Sequence, residues 1–165
     1  MSATEAWLSG PVEGITPHLM PVAHSLIAAR EDVLALAPSV APDVLWARPG
    51  GAASAGFHLL HLAGALDRLF TYARGEALSD EQKTAARAEA QDQQSMDGQA
   101  LAAAVSAQVE RAMAQLRATD PATLLDDRKI GRAGLPSTVL GCLFHAAEHT
   151  TRHAGQFITT VKIFS

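Results

Sequence analysis

The residues best placed to do chemistry lie near the C-terminus: His145, His149 and His153, at intervals of four. The run that holds them, Leu143-Phe144-His145-Ala146-Ala147-Glu148-His149-Thr150-Thr151-Arg152-His153-Ala154-Gly155-Gln156, has no proline. Leu143, Phe144, Phe157, Ile158 and Val161 carry an apolar stripe through it, so the spacing predicts a helix. Residues four apart share a helical face. Two imidazoles so placed are separated by about 6 Å of rise and can converge on one metal ion. His145 and His153 are about 12 Å apart, too far to share an ion whose Zn–N bonds are about 2.0–2.1 Å. The pair is therefore His145/His149 or His149/His153, and a further ligand must come from another element. A lone histidine on an apolar face is more often a hydrogen-bonded core residue. Three in register, with more histidine on a second apolar helix, favour a metal site.

That second helix is expected from about Ser54 to Arg74, with Gly75 as its stop. Leu59, Leu62, Leu66 and Leu69 form its core stripe, and His58 and His61 lie beside it as alternative ligands. Asp67 and Arg68 fit surface or inter-helix salt bridges better than catalysis, and Tyr72 fits packing. A first helix is expected to run from near Pro17 to about Ala37, with Pro21 disturbing its first turn. Leu19, Val22, Leu26, Ile27, Val33, Leu34 and Leu36 are its stripe. Residues 1–15 read as loose. Pro38, Pro42, Pro49 and Gly50-Gly51 mark a loop.

A third long helix is expected from Asp97 to Ala118, with Leu101, Val105, Val109, Met113 and Leu116 at near-heptad spacing. Between it and the second helix, residues 76–98 are polar. Ser79-Asp80-Glu81-Gln82 resembles a capping box, so a short helix could follow, as a flap or, more simply, as a solvated connector. Residues 121–135 read as a charged loop in which Arg132 could reach an anionic ligand. The last helix is expected from near Pro136 to about Lys162. These elements predict an all-α four-helix bundle forming a single domain over residues 1–165.

Bulk properties narrow the function. Apolar residues make up 48% of the 165 and aromatics 5%, with a net charge of -4. An acidic chain with scattered charges is not an electrostatic nucleic-acid binder. The single cysteine, Cys142, allows no internal disulfide and reads as a buried, inert thiol. Neither a signal peptide nor a membrane-spanning stretch is evident, so the expected location is cytoplasmic.

The run His149 to Gln156 resembles the H-x3-H-x-G-Q signature in the last helix of the DinB/YfiT-like superfamily. Gly56-Phe57-His58-Leu59-Leu60-His61-Leu62 is similar to that family's second helix, where a histidine followed by Leu or Ile supplies the first ligand. The turn Tyr72-Ala73-Arg74-Gly75-Glu76 and the loop Gly131 to Val139 also resemble one branch of the family. The resemblance implies an up-up-down-down bundle, often a homodimer, with one divalent metal, Zn or Ni, on His61, His149 and His153. His58 and His145 become neighbours of that site. It further implies a metal-dependent enzyme acting on a small molecule, either a low-molecular-weight thiol S-transferase or a hydrolase. The alternative is a non-catalytic metal- or ligand-binding module.

Within such a site three neutral histidines leave coordination positions open, as catalytic rather than closed structural sites do. Gln156 shares the face of His153 and is placed to orient a ligand. His58 and His145 could relay protons. Glu148 points about 100° away from His149 around the helix, which argues against a general-base role.

Overall fold

The computed structural model describes residues 4–89, 91 and 96–164. Four long helices build it: α1 (Met20–Leu36), α3 (Ala55–Ala73), α5 (Gly98–Ala118) and α6 (Val139–Ile163), with shorter α2 (Pro42–Trp46) and α4 (Asp80–Glu89) between them. Side-chain caps set three of the long starts. Ser54 Oγ accepts from Phe57 N, Asp97 Oδ1 from Ala100 N and Thr138 Oγ1 from Gly141 N, each worth about 1 kcal/mol. Pro17 opens a separate 3-10 turn and α1 itself begins at Met20, with Pro21 in its first turn, where a missing N–H is tolerated.

The core is aliphatic. Leu26, Val33, Leu59, Leu62, Leu66, Leu101, Val105, Val109, Leu116, Leu143 and Phe157 are buried, each worth roughly 1.5–3 kcal/mol against exposure. Leu34 and Phe144, expected on the apolar stripes, are exposed. α3 and α6 pack together, as do α1 and α6, α3 and α5, and α1 and α5.

The directions follow from pairs of contacts. Asp67 and Phe70 of α3 meet Gln108 and Gln115 of α5, so these two run parallel. Ala37, just after α1, abuts Gly98 at the start of α5, so α1 and α5 are antiparallel. His58 of α3 meets His153 of α6, while Ala73 and Val139 border one cleft, so α3 and α6 are antiparallel. The chain order is thus up-down-down-up, a correction to the up-up-down-down expected from the resemblance.

Three local expectations also change. The expected loop after α1 holds the short helix α2, which opens on Pro42 and buries Leu45 and Trp46. Residues 127–138 are not all loop and helix start. β1 (Asp127–Ile130) pairs antiparallel with β2 (Leu135–Thr138), Asp127 opposite Thr138. Gly131 and Gly134 take positive φ and close the turn between them, with Gly134 N donating to Gly131 O. Pro136 therefore sits in β2 and α6 starts at Val139. Residues 4–15 are not uniformly loose either: a turn at Ala6–Leu8 packs beside α1, and Ala6 and Ile15 are buried.

α4 is the larger departure. The capping box is real: Gln82 N donates to Ser79 Oγ and Ser79 N donates to Gln82 Oε1. Gln82 Nε2 then donates to Asp67 Oδ2 at 2.6 Å and to Thr71 Oγ1 at 2.8 Å. The helix lies against α3 and ends on a buried carboxylate, Glu89. Residues 90 and 92–95 of the expected connector lie outside the described residues.

Candidate metal centre

Antiparallel packing of α3 on α6 turns two histidine-bearing faces toward each other. His61, His149 and His153 each offer a ring nitrogen, and these atoms lie within 4.8 Å of one another. Ring centroids are 5.0 Å apart for His61–His149, 4.6 Å for His61–His153 and 4.5 Å for His149–His153. Tetrahedral Zn–N bonds put ligand nitrogens about 3.3 Å apart, so small side-chain rotations of about 1 Å close the set. All three imidazoles are half-buried.

Burial, then repulsion from neighbouring imidazoles and Arg152, pushes His149 and His153 down to a pKa of about 4. Their ring nitrogens are therefore free bases at neutral pH, as coordination requires.

Glu89 faces His61 from α4. His61 Nδ1 is 2.9 Å from Glu89 Oε2. Arg68 Nη1 and Nη2 donate to Glu89 Oε1 and Oε2 at 2.5 and 3.2 Å. Burial alone would raise the Glu89 pKa, but the hydrogen bonds from His61 and Arg68 outweigh it and hold the pKa low. An ionised carboxylate only accepts, so His61 carries its proton on Nδ1 and presents the Nε2 lone pair outward. Phe57 stacks on the same ring, with planes 6° apart. The carboxylate fits because Gly64 has no side chain. A Cβ there would sit 2.8 Å from Arg68 Nη1, 3.1 Å from Glu89 Cδ and closer still to Oε1.

His58 is buried and its Nδ1 lies 3.1 Å from His153 Nδ1, one donating and the other accepting. Burial, and behind it the repulsion that a protonated His61 would exert, lowers its pKa. His145 lies at the rim, its ring 5.5 Å from that of His149 and edge-on to it, but it is exposed and its Nδ1 donates to Glu148 Oε1 at 2.7 Å. Glu148 also accepts from Arg152 at 2.6 Å, so that carboxylate is engaged away from the cluster. Gln156 lines a cleft of about 450 Å3 with His58 and Arg152. Cys142 is buried, which raises its thiol pKa and suits an inert role. Arg68 makes the inter-helix salt bridge anticipated for it. Arg132 lines a different cleft, with Lys83, Arg87 and Lys129.

Sequence reasoning missed Glu89 and Gly64. Glu89 belongs to a polar segment and is separated from His61 by 28 residues. The only advance signal was the capping box, which foretold a helix there but not what its end would touch.

A helical bundle that sets histidines from two helices against each other is compatible with metal binding between those helices. The particular family follows from comparison. The DinB superfamily model matches residues 25–157, and the chain belongs to that superfamily. Among curated proteins no match is found. No helix among the described residues is long and apolar enough to cross a membrane.

Proposed function

We propose that this DinB superfamily protein holds one divalent metal ion on His61, His149 and His153 and uses it in catalysis. The reading rests on one observation: three half-buried imidazoles from two helices whose nitrogens lie within 4.8 Å of one another. Imidazole donors suit zinc and nickel. Such an ion acts as a Lewis acid that favours the deprotonated form of a coordinated water or thiol. The residues around it have separable tasks. Glu89 and Arg68 fix the ring and tautomer of His61. With His153 coordinating through Nε2, its Nδ1–H donates to His58 Nδ1, which leaves the His58 proton on Nε2. His58 thereby becomes a proton donor bordering the cleft that Gln156 and Arg152 also line, and Gln156 orients a small substrate there. The reaction class is transfer of a low-molecular-weight thiol or hydrolysis.

A second reading, a metal- or ligand-binding module without turnover, draws on the same cleft. It is lined by His58, Arg152 and Gln156 but by none of the three clustered histidines. Metal analysis of the purified protein, followed by a screen of thiol–electrophile pairs and ester substrates on the metal-loaded form, separates the two. Turnover that depends on metal and is lost in His153→Ala supports the enzyme. Stoichiometric metal without turnover across the screen favours the module. Failure of zinc and nickel to bind overturns the enzyme reading and leaves only a metal-free ligand-binding module.

A further inference from the structure

The chain carries a net charge of -4, yet one of its clefts is cationic. Lys83, Arg87, Lys129 and Arg132 line it with Tyr72 and Glu76 around a volume of about 700 Å3. Two elements supply the charge. Lys83 and Arg87, four residues apart, share one face of α4, while Gln82 and Glu89 on its inner face grip α3. Lys129 and Arg132 come from the hairpin. Arg128 Nε donates to Ala73 O at 2.7 Å, which pins β1 to the end of α3. Strand alternation then turns Lys129 outward, and the Gly131–Gly134 turn carries Arg132.

The cations are only weakly neutralised where they stand: Arg87 donates to Thr84 Oγ1 at 2.9 Å and shares the exposed Asp80 with Lys83. The Glu76 carboxylate accepts from Arg74 Nε at 2.9 Å and is committed there. Lys83 pairs with Asp80 at 3.0 Å, but that side chain is 93% exposed, and such a screened pair contributes little. Lys129 and Arg132 have no carboxylate partner among the described residues. Asp126 and Asp127, at the hairpin base, do not line the cleft. Four cations outnumber the one carboxylate, Glu76, that lines the cavity with them, and a bound anion would offset the excess.

We propose that this cleft binds a small molecule carrying two or more negative charges, as phosphate or carboxylate groups, bridging α4 and the hairpin. The two arginines offer forks matched to either group. The volume is that of a small-molecule site, and the acidic surface elsewhere repels an extended polyanion such as nucleic acid. Tyr72 stands eleven residues beyond His61, about 16 Å along α3, so the site is separate from the histidine cluster and does not rest on the metal reading.

The test is thermal unfolding of the protein in inorganic phosphate or in succinate, with sodium chloride matching ionic strength. A saturable rise in Tm is expected with at least one of the two, roughly 5 °C or more at a hundredfold excess over Kd. Phosphate alone points to a phosphorylated ligand and succinate alone to a dicarboxylate. The double variant Lys129→Glu/Arg132→Glu should weaken the apparent affinity at least about tenfold. Arg87→Gln, on the opposite wall, should weaken it too, which guards against a hairpin defect. His149→Ala should leave it unchanged. A rise no larger than that in sodium chloride, or one that survives the double variant, overturns the proposal. So does a rise that vanishes in His149→Ala, because the anion would then sit at the histidines.

Discussion

Replacing Gly64 by alanine tests how His61 is aimed. The new Cβ would lie 2.8 Å from Arg68 Nη1 and 3.1 Å from Glu89 Cδ, where ordinary contact needs about 3.5–4.0 Å. Both obstructing atoms are at the far ends of flexible side chains, so α3 stays intact and the carboxylate gives way. A retreat of about 1 Å opens the 2.9 Å bond between His61 and Glu89 past the roughly 3.5 Å at which it ceases to count. Two effects on folding oppose each other. Alanine in a helix interior gains about 1 kcal/mol over glycine, and losing charge-assisted hydrogen bonds costs about 1.5–3 kcal/mol. The net is a destabilisation of about 0.5–2 kcal/mol, or roughly 1–8 °C in Tm. Metal affinity should fall further in proportion, about 10–100-fold, because an outer partner that fixes a ligand's tautomer has been displaced. Calorimetric titration of zinc into wild type, Gly64→Ala and Glu89→Gln measures this. Glu89→Gln should be intermediate, since it keeps an acceptor but loses the charge. Wild-type zinc affinity in Gly64→Ala would mean that the carboxylate does not aim His61, and the role given to α4 would fail.

Three further outcomes are expected. His149→Ala should weaken zinc binding by well over tenfold and His145→Ala should barely change it in the same titration, because only His149 belongs to the cluster. Acid should destabilise the metal-free protein. His149 and His153 titrate near pH 4 when folded and near 6.5 when unfolded, so the unfolded chain binds more protons between those values. The share owed to these two histidines is full above pH 6.5 and is lost as pH drops toward 4, and protonation of Glu89, whose pKa is held low, continues the loss at still lower pH; Tm measured across that window checks it, and zinc should stay bound to lower pH than ordinary histidines would allow. Gly98→Ala should destabilise the fold by about 2–3 kcal/mol, since its Cβ would lie 2.8 Å from the Ala37 carbonyl carbon and closer to the oxygen, backbone atoms that cannot swing aside. Urea unfolding gives the value.

What the sequence determined by itself was whatever depends on neighbours along the chain. Helical period placed α3, α5 and α6 within a few residues, because an apolar stripe is a local device, although the start of α6 lay three residues past the expected Pro136. The same period put His149 and His153 on one face. It could not choose between His58 and His61, three residues apart on α3, since that depends on how α3 is rotated against α6. Packing decided it: the nitrogen of His61 enters the cluster, and His58 is turned to bond His153 from the side. Helix direction was equally beyond reach, because an apolar stripe has no sense along its length. The hairpin went unseen for a related reason: its strands of four residues each are too short to show a period, and each is satisfied only by the other. The meeting of Glu89, Gly64 and Arg68 was the least accessible. Polar residues in an amphipathic segment look solvated until the bundle closes, and only then does burial make an ion pair necessary.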